Sequence, residues 1–259
     1  MNKLQQAFAN GKAFIPFITA GDPSLVITKE LVLQMAEAGA DLIELGIPFS
    51  DPVAEGQVIQ AASIRALSHG ITVDHIFNML RDIRKTCNIP IALMTYVNPV
   101  FAYGIDSFLR NCQETGVDAL IVPDLPFEEK DELVPFCLKH GVYLISMIAP
   151  TSNNRIHLIS KEAQGFVYCV SSMGVTGVRK NLGSDAEKMV KLVKEVNDIP
   201  CAVGFGISTP EQAARMAKYA DGVIVGSAIV KIIEQYGSRC LPHVIEYVRM
   251  MKNAITEGD

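Results

Sequence analysis

The sequence has no hydrophobic run approaching the ~18 consecutive residues that a membrane span requires. It has no run of five or more basic residues and carries a formal net charge of −5, which argues against nucleic acid as a partner. Six cysteines stand at 87, 112, 137, 169, 201 and 240 without a Cys-x-x-Cys pair among them. Most lie within apolar helical or strand-like patterns, as free buried thiols in a reducing compartment do. The five histidines, at 69, 75, 140, 157 and 243, are not paired at ligand spacing, so no metal site is expected. The opening Met1-Asn2-Lys3-Leu4-Gln5 lacks the apolar core of a signal peptide, and a cytoplasmic protein is expected. No Gly/Ser/Pro linker or change of composition divides the chain, so one domain over 1–259 is expected.

The chain does have the material for a large α/β core: 259 residues, 49% hydrophobic and 20% charged. That length suits a (β/α)₈ barrel of roughly 250 residues. Eight short, near-continuously apolar runs read as strands of a parallel sheet covered on both faces: 14–19, 42–46, 91–96, 119–122, 143–148, 166–170, 201–205 and 222–225. The segments between them have helical periodicity. After the first run, Ile27, Leu31, Met35 and Ala38 recur on one face, and Gly39 follows as a helix terminator. Gly116, Gly141 and Gly165 punctuate the chain in the same way. Asn88-Ile89-Pro90-Ile91-Ala92-Leu93 is echoed by Asp198-Ile199-Pro200-Cys201-Ala202-Val203, an offset that half-barrel symmetry would produce. Extra helices are expected at 2–9 and 241–255. An open doubly wound sheet is the competing architecture; eight regular units without an early Gly-x-Gly-x-x-Gly favour the (β/α)₈ TIM barrel.

In such a barrel the chemistry sits at the C-terminal ends of the strands. Glu44 lies inside the second run, where an ionised carboxylate is costly unless paired or protonated. It is either a structural acid or a functional one whose proton affinity burial has raised. The following loop adds Asp51 and Glu55, which read either as solvated surface or as partners of Glu44 in a divided acid–base pair. Gly174-Val175-Thr176-Gly177 after the sixth run is a lid or a plain turn. Gly204 and Gly206 end the seventh run, and Gly226-Ser227 ends the eighth. That is where these barrels commonly bind phosphate, although tight turns would use the same residues. The residues alone thus lead to a phosphate-bearing small substrate and carboxylate chemistry.

Several motifs resemble those of tryptophan synthase alpha subunits. They are Pro16-Phe17-Ile18-Thr19-Ala20-Gly21-Asp22-Pro23, Leu42-Ile43-Glu44-Leu45-Gly46-Ile47-Pro48-Phe49-Ser50-Asp51-Pro52, Pro123-Asp124-Leu125-Pro126, Gly174-Val175-Thr176-Gly177 and Gly204-Phe205-Gly206-Ile207. The likeness runs from about Phe14 to the C-terminal helix. It implies retro-aldol cleavage of indole-3-glycerol phosphate to indole and glyceraldehyde 3-phosphate. Glu44 matches the general acid–base. The second acid is usually an aspartate in Ala-Asp-Gly; here the segment reads Ala54-Glu55-Gly56, with Gln57 where proline is usual. Tyr168 matches an active-site tyrosine. Phe17, Met94, Ile121 and Met147 match apolar positions around the indole, though their composition alone would make them core residues. Thr176 matches the lid threonine, and Gly177, Gly206 and Ser227, with Gly204 and Gly226 nearby, match the phosphate cradle.

The resemblance also implies a pyridoxal-phosphate beta subunit as partner, in an alpha2beta2 complex that passes indole through a tunnel. Asp51, Asn98 and Pro99 lie in segments resembling the docking surface, and no cofactor is expected on this chain. Three other readings are a partner-activating subunit with weak lyase activity, a free-standing lyase, and another phosphate-binding barrel such as an isomerase. Glu44, Tyr168 and the glycine cradle argue against the first, and the Pro-Phe-Ser-Asp-Pro loop argues against the last.

Overall fold

The structure, a computed structural model, describes residues 3–170, 182–204 and 206–256. It contains nine parallel strands: β1 (Ala13–Thr19), β2 (Ile43–Gly46), β3 (Ile91–Met94), β4 (Ala119–Ile121), β5 (Tyr143–Leu144), β6 (Ser146–Ile148), β7 (Val167–Val170), β8 (Cys201–Gly204) and β9 (Gly222–Val225). They pair in the order β5-β4-β3-β2-β1-β9-β8-β7-β6. The two ends of that order, β5 and β6, are separated in the chain by Ile145 alone, so covalent continuity closes the ring. The expected 143–148 strand is therefore one strand interrupted at its middle. β5 pairs with β4 and β6 pairs with β7. At the break, Ile145 N still donates to Leu120 O at 2.9 Å. The segment serves one neighbour with its first half and the other with its second, which is why it reads as two. With it counted once, eight strands and flanking helices form the (β/α)₈ barrel. Ile91 opens the third strand of eight and Cys201 the seventh, consistent with the half-barrel echo.

Alternation along the strands sorts side chains into two apolar layers. Ile15, Phe17, Leu42, Ala92, Met94, Ile121, Phe166, Tyr168, Ala202 and Ile224 share the inner cluster. Phe14, Ile18, Ile43, Leu45, Leu93, Leu120, Cys169 and Val203 pack outward against the helices. Both faces are covered, so the strands are apolar throughout. The register Phe17↔Glu44↔Ala92 gives Glu44 the inward parity.

The helices follow their local signals. Leu25–Glu37 begins at Ser24, whose side chain accepts from Ile27 N. Leu31 and Met35 are buried as the periodicity predicts, with Thr28 beside them rather than Ile27. Thr28 is held there because its Oγ1 accepts from Gly21 N at 3.0 Å and donates to Ser24 O at 2.9 Å. At Gly141 the backbone turns left-handed (φ 67°, ψ 28°) to end Val134–His140, a conformation that glycine adopts without a Cβ clash. The N-terminal helix, Lys3–Ala7, contributes Leu4 and Ala7 to the inner cluster. The C-terminal helix, Leu241–Thr256, packs on the outside. All six cysteines are unpaired, and five are buried. Among the described residues no helix is long and apolar enough to cross a membrane.

A repeated aspartate, not evident from periodicity, secures the N-terminal ends of the strands. Asp41, ahead of β2, accepts from Phe14 N at 2.7 Å. Asp118, ahead of β4, accepts from Ile91 N at 3.0 Å. Asp221, ahead of β9, accepts from Cys201 N at 2.8 Å. Each carboxylate satisfies an N–H near the start of the adjacent strand and pairs with a cation: Lys252, Arg84 and Lys194 respectively. Asp41→Ala leaves Phe14 N–H without its acceptor and takes the carboxylate from Lys252, whose ammonium keeps only Lys12 O at 3.0 Å among the described residues. The expected loss is about 1–3 kcal/mol in urea unfolding; a midpoint indistinguishable from wild type would remove this device from the account of stability.

Candidate active site

A cavity of about 520 Å³ is lined by Phe17, Glu44, Glu55, Met94, Tyr168, Gly206, Gly226 and Ser227 from strands and following loops. Two aromatic rings form part of its wall, and glycine makes room for both. A Cβ on Gly46 would come within 2.7 Å of the Phe17 ring, and one on Gly226 within 3.3 Å. A Cβ on Gly204 would lie 2.6 Å from the Tyr168 hydroxyl. These glycines therefore permit close approach of a ring, a requirement separate from turn formation.

Glu44 is only 1% exposed, and neither carboxylate oxygen has a hydrogen-bond partner among the described residues. Burial, reinforced by the nearby Glu55 charge, pushes its pKa up to about 8. Glu55 is half-buried at the end of its loop, and burial raises its pKa to about 7, partly offset by a hydrogen bond from Tyr96. Tyr96 anchors that loop from the far end of β3. Its hydroxyl accepts from Ala54 N at 3.0 Å, and its ring lies 5.3 Å from that of Phe49. Gln60 donates to Glu55 O at 2.8 Å from the helix Gln57–Ser68 that follows. Two acids at different depths in one cavity thus have raised pKa values, Glu44 above Glu55, the condition under which one donates a proton and the other carries charge.

At the opposite side the helix Ser227–Tyr236 begins directly after β9 with Gly226 at its N-cap. The Ser227 and Ala228 N–H groups fall in the first turn, where no intrahelical acceptor exists. Together with the Ser227 hydroxyl and Gly206, they form a wall suited to an anion.

The structure thus brings together Phe17, Glu44, Glu55, Met94, Tyr168, Gly206, Gly226 and Ser227. Gly204 lies buried beneath Tyr168 rather than along the cavity wall. Ile121 is fully buried in the inner cluster. Met147 lines a separate cavity of about 540 Å³ beside the broken fifth strand. Neither lines the site cavity itself, yet Ile121 shares the inner cluster with Phe17, Met94 and Tyr168, and Met147 packs against that cluster. Tyr143, Ile145 and Met147 all meet the inner cluster, so the inward parity continues across the interruption. Thr176 and Gly177 lie outside the described residues. Asp51 and Asn98 are exposed and Pro99 half-buried, near the exposed Val53 (77%) and Phe101 (44%) in their own segments. Sequence reasoning missed Ile59, Ile207, Ser208, Lys231 and Tyr247, all of which line the site cavity. The signal for Lys231 was its position four residues after Ser227, on the same helical face. Among the described residues no group of three or more His, Cys, Asp or Glu could hold a metal.

The pKa shift of Glu44 carries a stability consequence. Its folded value lies above the unfolded one, so the native state retains a proton that the unfolded chain releases. Stability from this group is present below about 4.5 and is lost as pH rises towards about 8. Glu44→Gln, uncharged at every pH, is expected to be more stable than wild type at pH 9, with the gap closing towards pH 5. Thermal melts at both values test this; an equal gap at the two pH values would contradict the buried, raised acid.

Comparison with known proteins places this geometry in a family. A family model described as tryptophan synthase alpha chain matches residues 3–256. The chain is 51% identical to a tryptophan synthase alpha chain of Shouchella clausii over 93% of this chain and 89% of that one. It superposes on tryptophan synthase subunit alpha of Legionella pneumophila with TM-score 0.89 and 40% identity, covering 99% of each chain. A chain of the Pyrococcus furiosus tryptophan synthase complex gives TM-score 0.85 at 34% identity, over 94% of this chain and 98% of that one.

Proposed function

Since the chain belongs to the tryptophan synthase alpha chain family, we propose that the cavity is where it cleaves indole-3-glycerol phosphate to indole and glyceraldehyde 3-phosphate. The observation that carries this reading is the buried Glu44 carboxyl, unpartnered among the described residues, sharing one cavity with Glu55 and a helix terminus suited to an anion.

In the proposed cycle, protonated Glu44 delivers its proton to indole C3, and the ring becomes an iminium-like electron sink. The ionised Glu55 lies where a positive charge on the ring nitrogen is stabilised by a preorganised carboxylate. The Glu44 carboxylate then takes the proton of the C3′ hydroxyl as the C3–C3′ bond breaks. The bonding pair restores the aromatic indole, the C3′ oxygen becomes the aldehyde, and Glu44 regains its proton. Phe17 and Met94 supply the apolar wall for the ring. Tyr168 fixes the depth of that wall, and Gly206, Gly226 and Ser227 receive the phosphate. Glutamate in place of the usual aspartate at 55 adds a methylene, and the Tyr96 anchor supports its carboxylate in reach of the site.

A pyridoxal-phosphate beta subunit is the proposed partner and this chain carries no cofactor of its own. The exposed Asp51, Asn98, Val53 and Phe101 support a docking face on the side where the catalytic loop emerges.

The test is indole release from indole-3-glycerol phosphate, with and without a beta subunit from the same source. Slow release alone and strong stimulation by the partner are expected. Glu44→Gln should lower kcat by at least about 100-fold, the lower range for a positioned acid–base. The reaction needs protonated Glu44 and ionised Glu55, so kcat/KM should rise with pH through about 7 and fall through about 8. No indole release under either condition would defeat the catalytic assignment, and an activity indifferent to the beta subunit would defeat the partner.

A further inference from the structure

We propose that Lys231 is the cation that binds the substrate phosphate and sets the direction in which the substrate enters; this rests on the lyase reading above. Lys231 lines the cavity from the helix Ser227–Tyr236, four residues beyond Ser227 and therefore on the same face. Among the described residues it is the only lysine or arginine lining this cavity. Among those residues its ammonium also has no ion pair, unlike Lys194 and Lys252, which are engaged by the strand-end aspartates.

Charge favours such a cation. A phosphate monoester carries roughly −1.5 to −2 near pH 7. The helix terminus offers only about half a positive charge, and Ser227 and Gly206 offer neutral donors. The same cavity holds Glu44 and Glu55, and ionised Glu55 repels the incoming dianion. A full positive charge at the β9 side, opposed by carboxylates at the β2 side, gives the cavity an electrical polarity. The substrate is polar in the same sense, with its anion at one end and a ring that becomes cationic during the reaction at the other. Lys231 thereby favours entry phosphate-to-helix and leaves the indole against Glu44 and Glu55. Because the phosphate takes no part in bond cleavage, the interaction acts alike on bound substrate and transition state.

Two probes separate this role from a structural one: inorganic phosphate, which has the anion without the ring, and indole, which has the ring without the anion. In Lys231→Gln, KM for indole-3-glycerol phosphate and the inhibition constant of inorganic phosphate should each rise by about tenfold or more. Within the same variant, kcat should stay within about twofold and the inhibition constant of indole should be unchanged. Lys231→Arg should restore most of the phosphate affinity. Unchanged phosphate inhibition in a folded, active Lys231→Gln overturns the inference while leaving the lyase reading intact. An equal weakening of indole and phosphate overturns it in favour of a packing role. Failure of the wild-type protein to release indole is a separate outcome that defeats the lyase reading beneath it.

Discussion

Closure of the parallel ring is the constraint on which the site depends. Once eight strand positions are joined edge to edge, each residue's parity decides whether it faces the barrel axis or the helices. The register Phe17↔Glu44 then leaves the carboxylate no outward alternative. A shift of one residue would send Glu44 into the helical layer and Leu45 into the cavity. The inner cluster below, from Leu4 and Ala7 through Ile15 and Phe166, fills the barrel from its N-terminal end and leaves the open volume at the C-terminal end. The aspartates at 41, 118 and 221 hold the strand starts at the other end, away from the chemistry.

Function and stability oppose one another at Glu44. A buried acid without a hydrogen-bond partner costs the native state free energy above its unfolded pKa. The same burial, with the Glu55 charge beside it, keeps the proton available near neutrality. The protein places this cost on one rigid strand rather than on a loop, so the acid is positioned by backbone pairing on both sides. Glu55 is placed differently: its loop is fixed by Tyr96 and Gln60, and it remains partly open to solvent. The rigid acid and the loop acid therefore have distinct environments although their chemistry is the same.

Much of this was legible in the chain. The eight apolar runs, the helix-ending glycines and Ser227 at a helix start depend on local periodicity and backbone conformation, which short stretches of sequence encode. The family resemblance rested on contiguous motifs around Glu44 and Gly206, and it agrees with the family shown by full-length comparison. The break at Ile145 was not legible, since Tyr143 to Ile148 is apolar but for Ser146 and reads as one run. Its two halves pair with different neighbours, β4 and β7, a division made by the assembled sheet rather than by the stretch itself.

The sequence by itself thus determined the alternation of strands and helices, the presence of an acid in a buried strand and a glycine-rich anion site. Only the tertiary structure decided which of those residues meet. It placed Met147 at a different cavity, put Gly204 under the Tyr168 ring, and brought Lys231 and Tyr247 to the same cavity as Glu44. The reason is physical: local sequence sets backbone preference over a few residues, whereas proximity across a barrel follows from ring closure and packing of segments far apart in the chain.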